Sequence, residues 1–424
     1  MSHLPLSNLA MRTADALASP DMAPRRSQSA PWWRQSLAHG VPGIALLHIE
    51  LAANEQRPWQ RVHDWVSATT AAPITTGQDS HPFYGAPALA HALACATEQL
   101  PGAYKRTLDG IDQSITADTR RRLSAAHRRI DRGDLPRLAE FDALQGLTGY
   151  GAYLLRRDPD GAAVAEILSY LVRLTDPVTH DGMTLPGWWT PSGPSGEPDD
   201  RFPGGHANSS VAHGIGGVLC LLSLATARRS LVAGQLDAIR RICNWLDRWH
   251  DPSGRNSAWP YWVTRSELRS GLLRRAGPQR PSWCYGTAGL ARAQQLAALA
   301  LGDSERQLTA EREAIAALTD RQHLAATTDI ALCHGFAGLA HVASRIADDA
   351  LPNTGGELRA LLPALLTAVV PPGADPDDSV TELMNADDAG PGLLDGAAGV
   401  ALATLAPGSG SPPRSAWDAC LLIS

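Results

Sequence analysis

The chain has no apolar run approaching the about 18 residues that a helix needs to span a bilayer. It has no excess of positive charge either. Lys and Arg number 37 against 43 Asp and Glu, a formal balance of −6, which leaves no basic stripe and argues against nucleic acid as a partner. The opening MSHLPLSNLAMRTADALASPDMAPRRSQSA lacks the unbroken apolar segment of a signal peptide. It reads as a flexible N-terminal tail over 1–30, with 31–424 as one domain. Cysteine is sparse, at six residues. The expected compartment is the cytoplasm, where those thiols stay reduced and clustered ones point to metal or catalysis rather than disulfides. Charged residues make up only 19% of the 424, and the helix formers Ala and Leu dominate, so the chain should be mostly helical.

What is abundant is one glycine turn. It occurs as AHGVPGIAL, FYGAPALAH, LQGLTGYGA, AHGIGGVLC, CYGTAGLAR, CHGFAGLAH and LDGAAGVAL, with first glycines at Gly40, Gly85, Gly146, Gly214, Gly286, Gly335 and Gly396. Six copies carry a second glycine three residues on; the second copy has Ala88 there. The separations of 45, 61, 68, 72, 49 and 61 residues suit a helix pair with variable loops, repeated. Each turn leads into a stretch rich in small apolar residues, such as GGVLCLLSLATA, which reads as a buried inner helix. More amphipathic segments follow. In QLDAIRRICNWLDRW, residues Leu236, Ile239, Cys243, Leu246 and Trp249 share one helical face. In ELRALLPALLTAV, Pro363 should kink or divide the helix. Inner and outer helices alternating seven times form either an open solenoid or a closed ring. Glycine at the turn permits positive φ and close backbone approach. Two long connections, 179–213 and 251–283, have the length of functional loops or lids. The charged stretch 103–134 reads as a helical excursion or a small insertion.

The residues before the first glycines are His39, Tyr84, Gln145, His213, Tyr285, His334 and Asp395. One step further back stand Cys284 and Cys333. Turns five and six therefore offer two thiolates and an imidazole, from Cys284, Cys333 and His334. A Cys₂His set with an open fourth position is the donor pattern of a catalytic zinc rather than a closed structural one. The halves lie 49 residues apart, so no local zinc finger is involved; the shared offset within a repeat carries the reading. The bland alternative for cysteine is a small buried hydrophobe. It fits Cys95, Cys220 and Cys243 within apolar helices, and Cys420 near the end. His39 and Asp395 suit structural hydrogen bonds, and His213 suits either such a bond or chemistry. Zinc can deprotonate a substrate thiol or activate water; two thiolate ligands make it a poorer Lewis acid and favour thiol chemistry. A nearby histidine could then act as general acid.

These turns, together with LPGWW, AHGIGG, SWCYG, CHGFAG and the closing WDACLLIS, resemble the lanthipeptide cyclases, the LanC-like family, over nearly the whole chain. The resemblance implies an all-α fold, an α/α toroid of seven inner and seven outer helices with Zn2+ at the mouth of the barrel. It implies zinc ligands at Cys284, Cys333 and His334, and active-site residues at Asp142, His213, Arg280, Trp283 and Tyr285. The implied reaction adds peptide cysteine thiolates to dehydroalanine or dehydrobutyrine in a dehydrated precursor peptide, giving lanthionine or methyllanthionine thioethers. His213 would move the proton and Arg280 would stabilise the enolate oxygen. No kinase or dehydratase module is recognisable, so the chain looks like a stand-alone cyclase. A dehydratase and a transporter are the implied partners, and a complex with them would bring the chain to the membrane periphery. Three readings compete: thiol or glutathione addition to dehydroamino acids in proteins, a zinc-dependent prenyltransferase subunit, and a non-catalytic scaffold. A prenyltransferase would need a carboxylate ligand, and no such Asp stands beside either cysteine. Intact Cys284, Cys333, His334 and His213 argue against the scaffold.

Overall fold

The structure, a computed structural model, describes residues 4–253, 257–274, 277, 279–386, 389–409 and 411–424. Fourteen helices build two concentric layers. In chain order they are α1 (Leu4–Ala16), α2 (Val41–Ala53), α3 (Trp59–Thr70), α4 (Ala86–Gln99), α5 (Lys105–Asp131), α6 (Leu147–Arg157) and α7 (Ala162–Leu174). They continue as α8 (Ile215–Ala227), α9 (Gln235–Arg248), α10 (Thr287–Leu301), α11 (Ser304–Thr319), α12 (Phe336–Asp349), α13 (Pro352–Val369) and α14 (Ala397–Ser409). Even-numbered helices form the inner layer and odd-numbered ones the outer. Each inner helix packs on the next, and α14 packs back on α2. The ring is closed, and the fold is the expected all-α α/α toroid.

The inner helices all start at the glycine turns, which share one end of the barrel. Backbone hydrogen bonds link neighbouring turns there. Cys284 N–H donates to Cys333 O at 3.4 Å, Cys333 N–H to Leu394 O at 2.8 Å, and Leu393 N–H to Ala38 O at 2.7 Å. Leu37 N–H reaches Phe83 O at 2.9 Å, Ala143 N–H reaches Ala212 O at 3.0 Å, and Val211 N–H reaches Cys284 O at 3.1 Å. Between turns two and three, the His81 ring nitrogen lies 3.1 Å from Leu144 O.

The second glycine of each turn has a steric cause. A Cβ at Gly217 would sit 2.3 Å from Val211 O, and one at Gly338 would sit 2.0 Å from Leu332 O. The carbonyl three residues before the turn thus lies on the first turn of its own helix, and only hydrogen fits between them. Turn two takes another path, with Gly85 at φ +75°. There Ala88 fits, fully buried.

The structure corrects the reading of residues 1–30 as a flexible tail. Helix α1 lies in this segment, and Leu9, Ala10, Ala14 and the following Leu17 are buried. It packs on α14, so the N-terminus supplies the outer partner of the last inner helix and completes seven pairs. Stretch 103–134 is no insertion either: α5 is the outer helix of the second pair and packs on α4 and α7. Its buried Asp118 accepts from Tyr150 Oη at 2.8 Å and Arg122 Nε at 3.1 Å. Pro363 lies inside α13 without dividing it. Its position is exposed, where water can satisfy the carbonyl that loses its helical donor. On α9 the expected face is buried through Ile239, Cys243, Leu246 and Trp249, while Leu236 is half-buried.

The C-terminal segment runs into the bore of the inner barrel. Glu50 of α2 accepts from Arg414 N at 3.0 Å and Ser415 N at 2.9 Å. His91 of α4 bonds Trp417 O at 2.9 Å, Arg156 of α6 donates to Ser415 O at 2.7 Å, and Arg292 of α10 donates to Ile423 O at 2.9 Å. Buried Asp418 meets His341 and Arg345 of α12, both at 3.0 Å. Among the described residues, no helix is long and apolar enough to cross a membrane.

Truncating a fully buried leucine costs about 2–5 kcal/mol. Leu9→Ala should therefore lower the melting temperature measurably. An unchanged melting temperature would return the N-terminal segment to the status of a dispensable tail.

Candidate active site at the mouth of the barrel

Three consecutive turns build the site. The link from Cys284 N–H to Cys333 O places two thiols, distant in sequence, side by side. Ligand atoms of Cys284, Cys333 and His334 lie within 4.8 Å of one another, the one such grouping of three among the described residues. A tetrahedral zinc with Zn–S near 2.3 Å and Zn–N near 2.0 Å would hold its ligand atoms about 3.4–3.8 Å apart. The residues present therefore fit that ion with small adjustments. Their acidities point the same way. Cys284 is held well below the ordinary thiol value, first by the hydrogen bond from Cys333, against the opposing effect of burial. The same bond, then burial, drives Cys333 up. The hydrogen bond with Cys284 raises His334. A thiolate favoured at buried Cys284, next to half-buried Cys333 and the imidazole of His334, is a donor set suited to a divalent cation.

Carboxylates flank the imidazole of His334. Asp329 Oδ2 is 3.4 Å from Nε2, and Asp395 Oδ1 is 3.6 Å from Nδ1. Asp395 also lies 3.9 Å from His39 Nδ1. Burial raises Asp395, and the two histidines pull it back. His39 and Asp395 thus form a bridge to a member of the Cys₂His set. A cleft opens beside His39, with Trp32 and Arg26 in its lining.

Turn four brings His213 to the same mouth. Its Nδ1 is 2.8 Å from Asp142 Oδ2, and Asp142 is only 2% exposed. The other oxygen of Asp142 accepts from Gln145 N at 2.7 Å and Gly146 N at 2.8 Å. A carboxylate so anchored keeps the proton on Nδ1, so Nε2 is the nitrogen left to exchange a proton with anything in the mouth. Tyr285 lies beside it, with ring centroids 6.0 Å apart. Arg280 is close enough for its charge to act on both Cys333 and His334, and its carbonyl accepts from Tyr261 Oη at 2.7 Å.

Trp283 is placed differently from the other expected site residues. Its indole is 1% exposed, and its N–H donates to Leu421 O at 3.0 Å. It joins the mouth to the C-terminal segment in the bore.

Several site residues carry no sequence signal of their own. The long connections meet over the mouth as an antiparallel pair of strands, His206–Asn208 with Trp262–Thr264. Asn208 Nδ2 donates to Tyr285 Oη at 2.9 Å. The turn offset would have found it: Asn208, Arg280 and Asp329 all stand six residues before their first glycines. Four residues before the glycine stand Ser36, Asp142 and Ser210, whose side-chain oxygens each accept the N–H of the residue preceding that glycine.

The chain belongs to the family described as lanthionine synthetase C-like protein, whose sequence profile matches residues 31–422. It is 24% identical over 315 residues to the nisin biosynthesis protein NisC of Lactococcus lactis subsp. lactis, which covers 73% of each chain. Among solved structures it is similar to nisin cyclase, with a TM-score of 0.75, 21% identity, and coverage of 98% of this chain and 96% of that one. At that identity the likeness is one of fold.

Trp283→Phe keeps an aromatic ring but deletes the pyrrole half of a buried indole, combining a lost donor to a buried carbonyl, about 1–3 kcal/mol, with a small cavity. A lower melting temperature is expected. An unchanged one would show that the indole does not hold the C-terminal segment.

Proposed function

We propose that this protein is a zinc-dependent cyclase that closes thioether rings in a dehydrated precursor peptide. A cysteine thiol of the peptide adds to a dehydroalanine or dehydrobutyrine in the same chain. The observation that carries the reading is the Cys284–Cys333–His334 donor set opening beside the His213–Asp142 pair. The name of the similar nisin biosynthesis protein supports the same substrate class.

Bound by Cys284, Cys333 and His334, zinc would supply positive charge that favours the thiolate form of the incoming cysteine. The rest falls to side chains of the chain itself. The sulfur lone pair forms the new bond to the β-carbon of the dehydro residue. The C=C π pair moves onto the α-carbon and its carbonyl, giving an enolate. The proton lost from the thiol is balanced by one delivered to the α-carbon. His213 is the residue for that transfer, because Asp142 occupies Nδ1 and leaves Nε2 toward the mouth. Arg280 contributes positive charge on the side of Cys333, where the enolate oxygen can use it. Asp142 holds the tautomer and does not itself exchange the proton. The cytoplasm is the compartment proposed for this chemistry, with a dehydratase as the enzyme that must supply the substrate.

The test separates proton transfer from metal binding. Cys284→Ala should purify with little zinc. His213→Asn should keep its zinc while cyclisation slows by roughly a hundredfold, the scale of a lost general acid or base. Free thiols remaining on a dehydrated peptide give the rate, with the uncatalysed addition subtracted. Near-normal cyclisation by His213→Asn would remove the acid–base role. Loss of zinc from that variant would make His213 a ligand instead.

A further inference from the structure

The hydrogen bonds around Asn208 run in one direction. His206 is fully buried, and its Nδ1 lies 2.9 Å from Ser192 O. A carbonyl only accepts, so Nδ1 carries the proton. Burial also holds His206 down to about 4, so the ring is neutral and Nε2 is an acceptor. Asn208, fully buried as well, places Nδ2 3.4 Å from that Nε2. On its other side, Asn208 Oδ1 accepts from Ser210 N at 3.0 Å. A backbone N–H cannot be an acceptor, so the amide has one orientation and no flipped alternative. Its second Nδ2 hydrogen goes to Tyr285 Oη at 2.9 Å. The Ser210 side chain, whose Oγ accepts from His213 N at 2.9 Å, is the other hydrogen-bonding neighbour of the Tyr285 hydroxyl and, like Asn208, favours negative charge on it. The phenol oxygen is therefore an acceptor toward both, and its own proton is left to be donated elsewhere.

We propose that Asn208, steered by His206, is a positioning residue that makes the Tyr285 hydroxyl a hydrogen-bond donor to the substrate carbonyl oxygen as the enolate forms. The proposal rests on the cyclase reading above and adds a hydrogen-bond donor for the enolate oxygen to the positive charge of Arg280. Three features support it. The Tyr285 ring is half-buried and packs beside His213, the residue that serves the adjacent α-carbon. The relay comes from strand His206–Asn208, which is fixed by pairing with Trp262–Thr264 on one side and with Thr190 on the other. Trp262 and Tyr261 also pack on the Tyr285 ring, at 6.0 Å and 5.5 Å between centroids. The hydroxyl is thus held in place before substrate arrives, the condition under which an oxyanion donor is most effective. Gly214 lets Asn208 approach, because a Cβ there would lie 2.6 Å from Oδ1.

The experiment is a double-substitution cycle in the full-length, zinc-loaded protein. Asn208→Asp keeps the shape and the acceptor for Ser210 N–H, but a carboxylate offers no hydrogen to the phenol. The Tyr285 proton then turns toward residue 208 and away from the mouth. The expected result is a fall in kcat of roughly a hundredfold, the lower range for a lost oxyanion donor, with KM and zinc content unchanged. Tyr285→Phe should fall equally, and adding Asn208→Asp to it should change nothing further. If Asn208→Asp does not fold, His206→Leu removes the acceptor that anchors the amide. It should give a smaller kcat loss that also vanishes in the Tyr285→Phe background. Three results would overturn the proposal: native kcat in Asn208→Asp, or in His206→Leu if that variant is used; an effect undiminished in Tyr285→Phe, as a purely structural role requires; or native kcat in Tyr285→Phe. The last would leave the cyclase reading intact. Absence of any cyclisation by the zinc-loaded native protein would remove both together.

Discussion

Everything at the mouth depends on the backbone hydrogen bonds that join one glycine turn to the next. Their donors and acceptors stand two or three residues before the first glycine of each turn: Cys284 to Cys333, Cys333 to Leu394, Leu394 to Ala38. The ladder turns sequence offset into spatial neighbourhood. Residues two before the glycine touch across the ladder, and residues one before it point at a common space. A thiol placed at that step in adjacent turns must meet its counterpart, whatever the length of chain between them. The second glycine serves the same end, by letting the carbonyl three before the turn lie against the helix start.

The ring also needs closing, and two ends of the chain do that. Helix α1 covers α14, and the C-terminal segment fills the bore. The polar groups that receive that segment are buried. Asp418 is fully buried, which alone would raise it, yet hydrogen bonding from His341 and the charge of Arg345 hold it below its ordinary value. Such a pair is costly to break from one side, since the remaining charge has no water to turn to. Trp283, the residue next to Cys284, connects this C-terminal segment to the mouth through its bond to Leu421 O. Stability of the core and geometry of the mouth are thereby coupled through one side chain.

The repeat, the inner helices and the Cys₂His set were legible in the sequence because each rests on a residue type at a fixed offset. Asn208, Asp329 and Ser210 obey the same offsets but stayed hidden, since Ser and Asn raise no chemical alarm and accept backbone N–H groups in most turns. Asp142 was reached only through the family pattern; the contact of its Oδ2 with His213 Nδ1 is long-range and no spacing rule announces it. Helix α1 was missed because its buried positions include Ala10 and Ala14, small residues that leave no apolar periodicity. Helix α5 read as an excursion or an insertion, and its place in the ring stayed hidden for the opposite reason: its inward face includes polar Asp118 and Thr119, the first held by Arg122 on its own helix and by Tyr150 on α6.

The account stands on two sulfurs and one imidazole meeting at a single metal. Zinc K-edge X-ray absorption on the purified, zinc-loaded protein tests this directly. It should show two sulfur scatterers at about 2.3 Å and the remaining ligands as nitrogen or oxygen near 2.0 Å. A shell of four sulfurs, or one without sulfur, would contradict it.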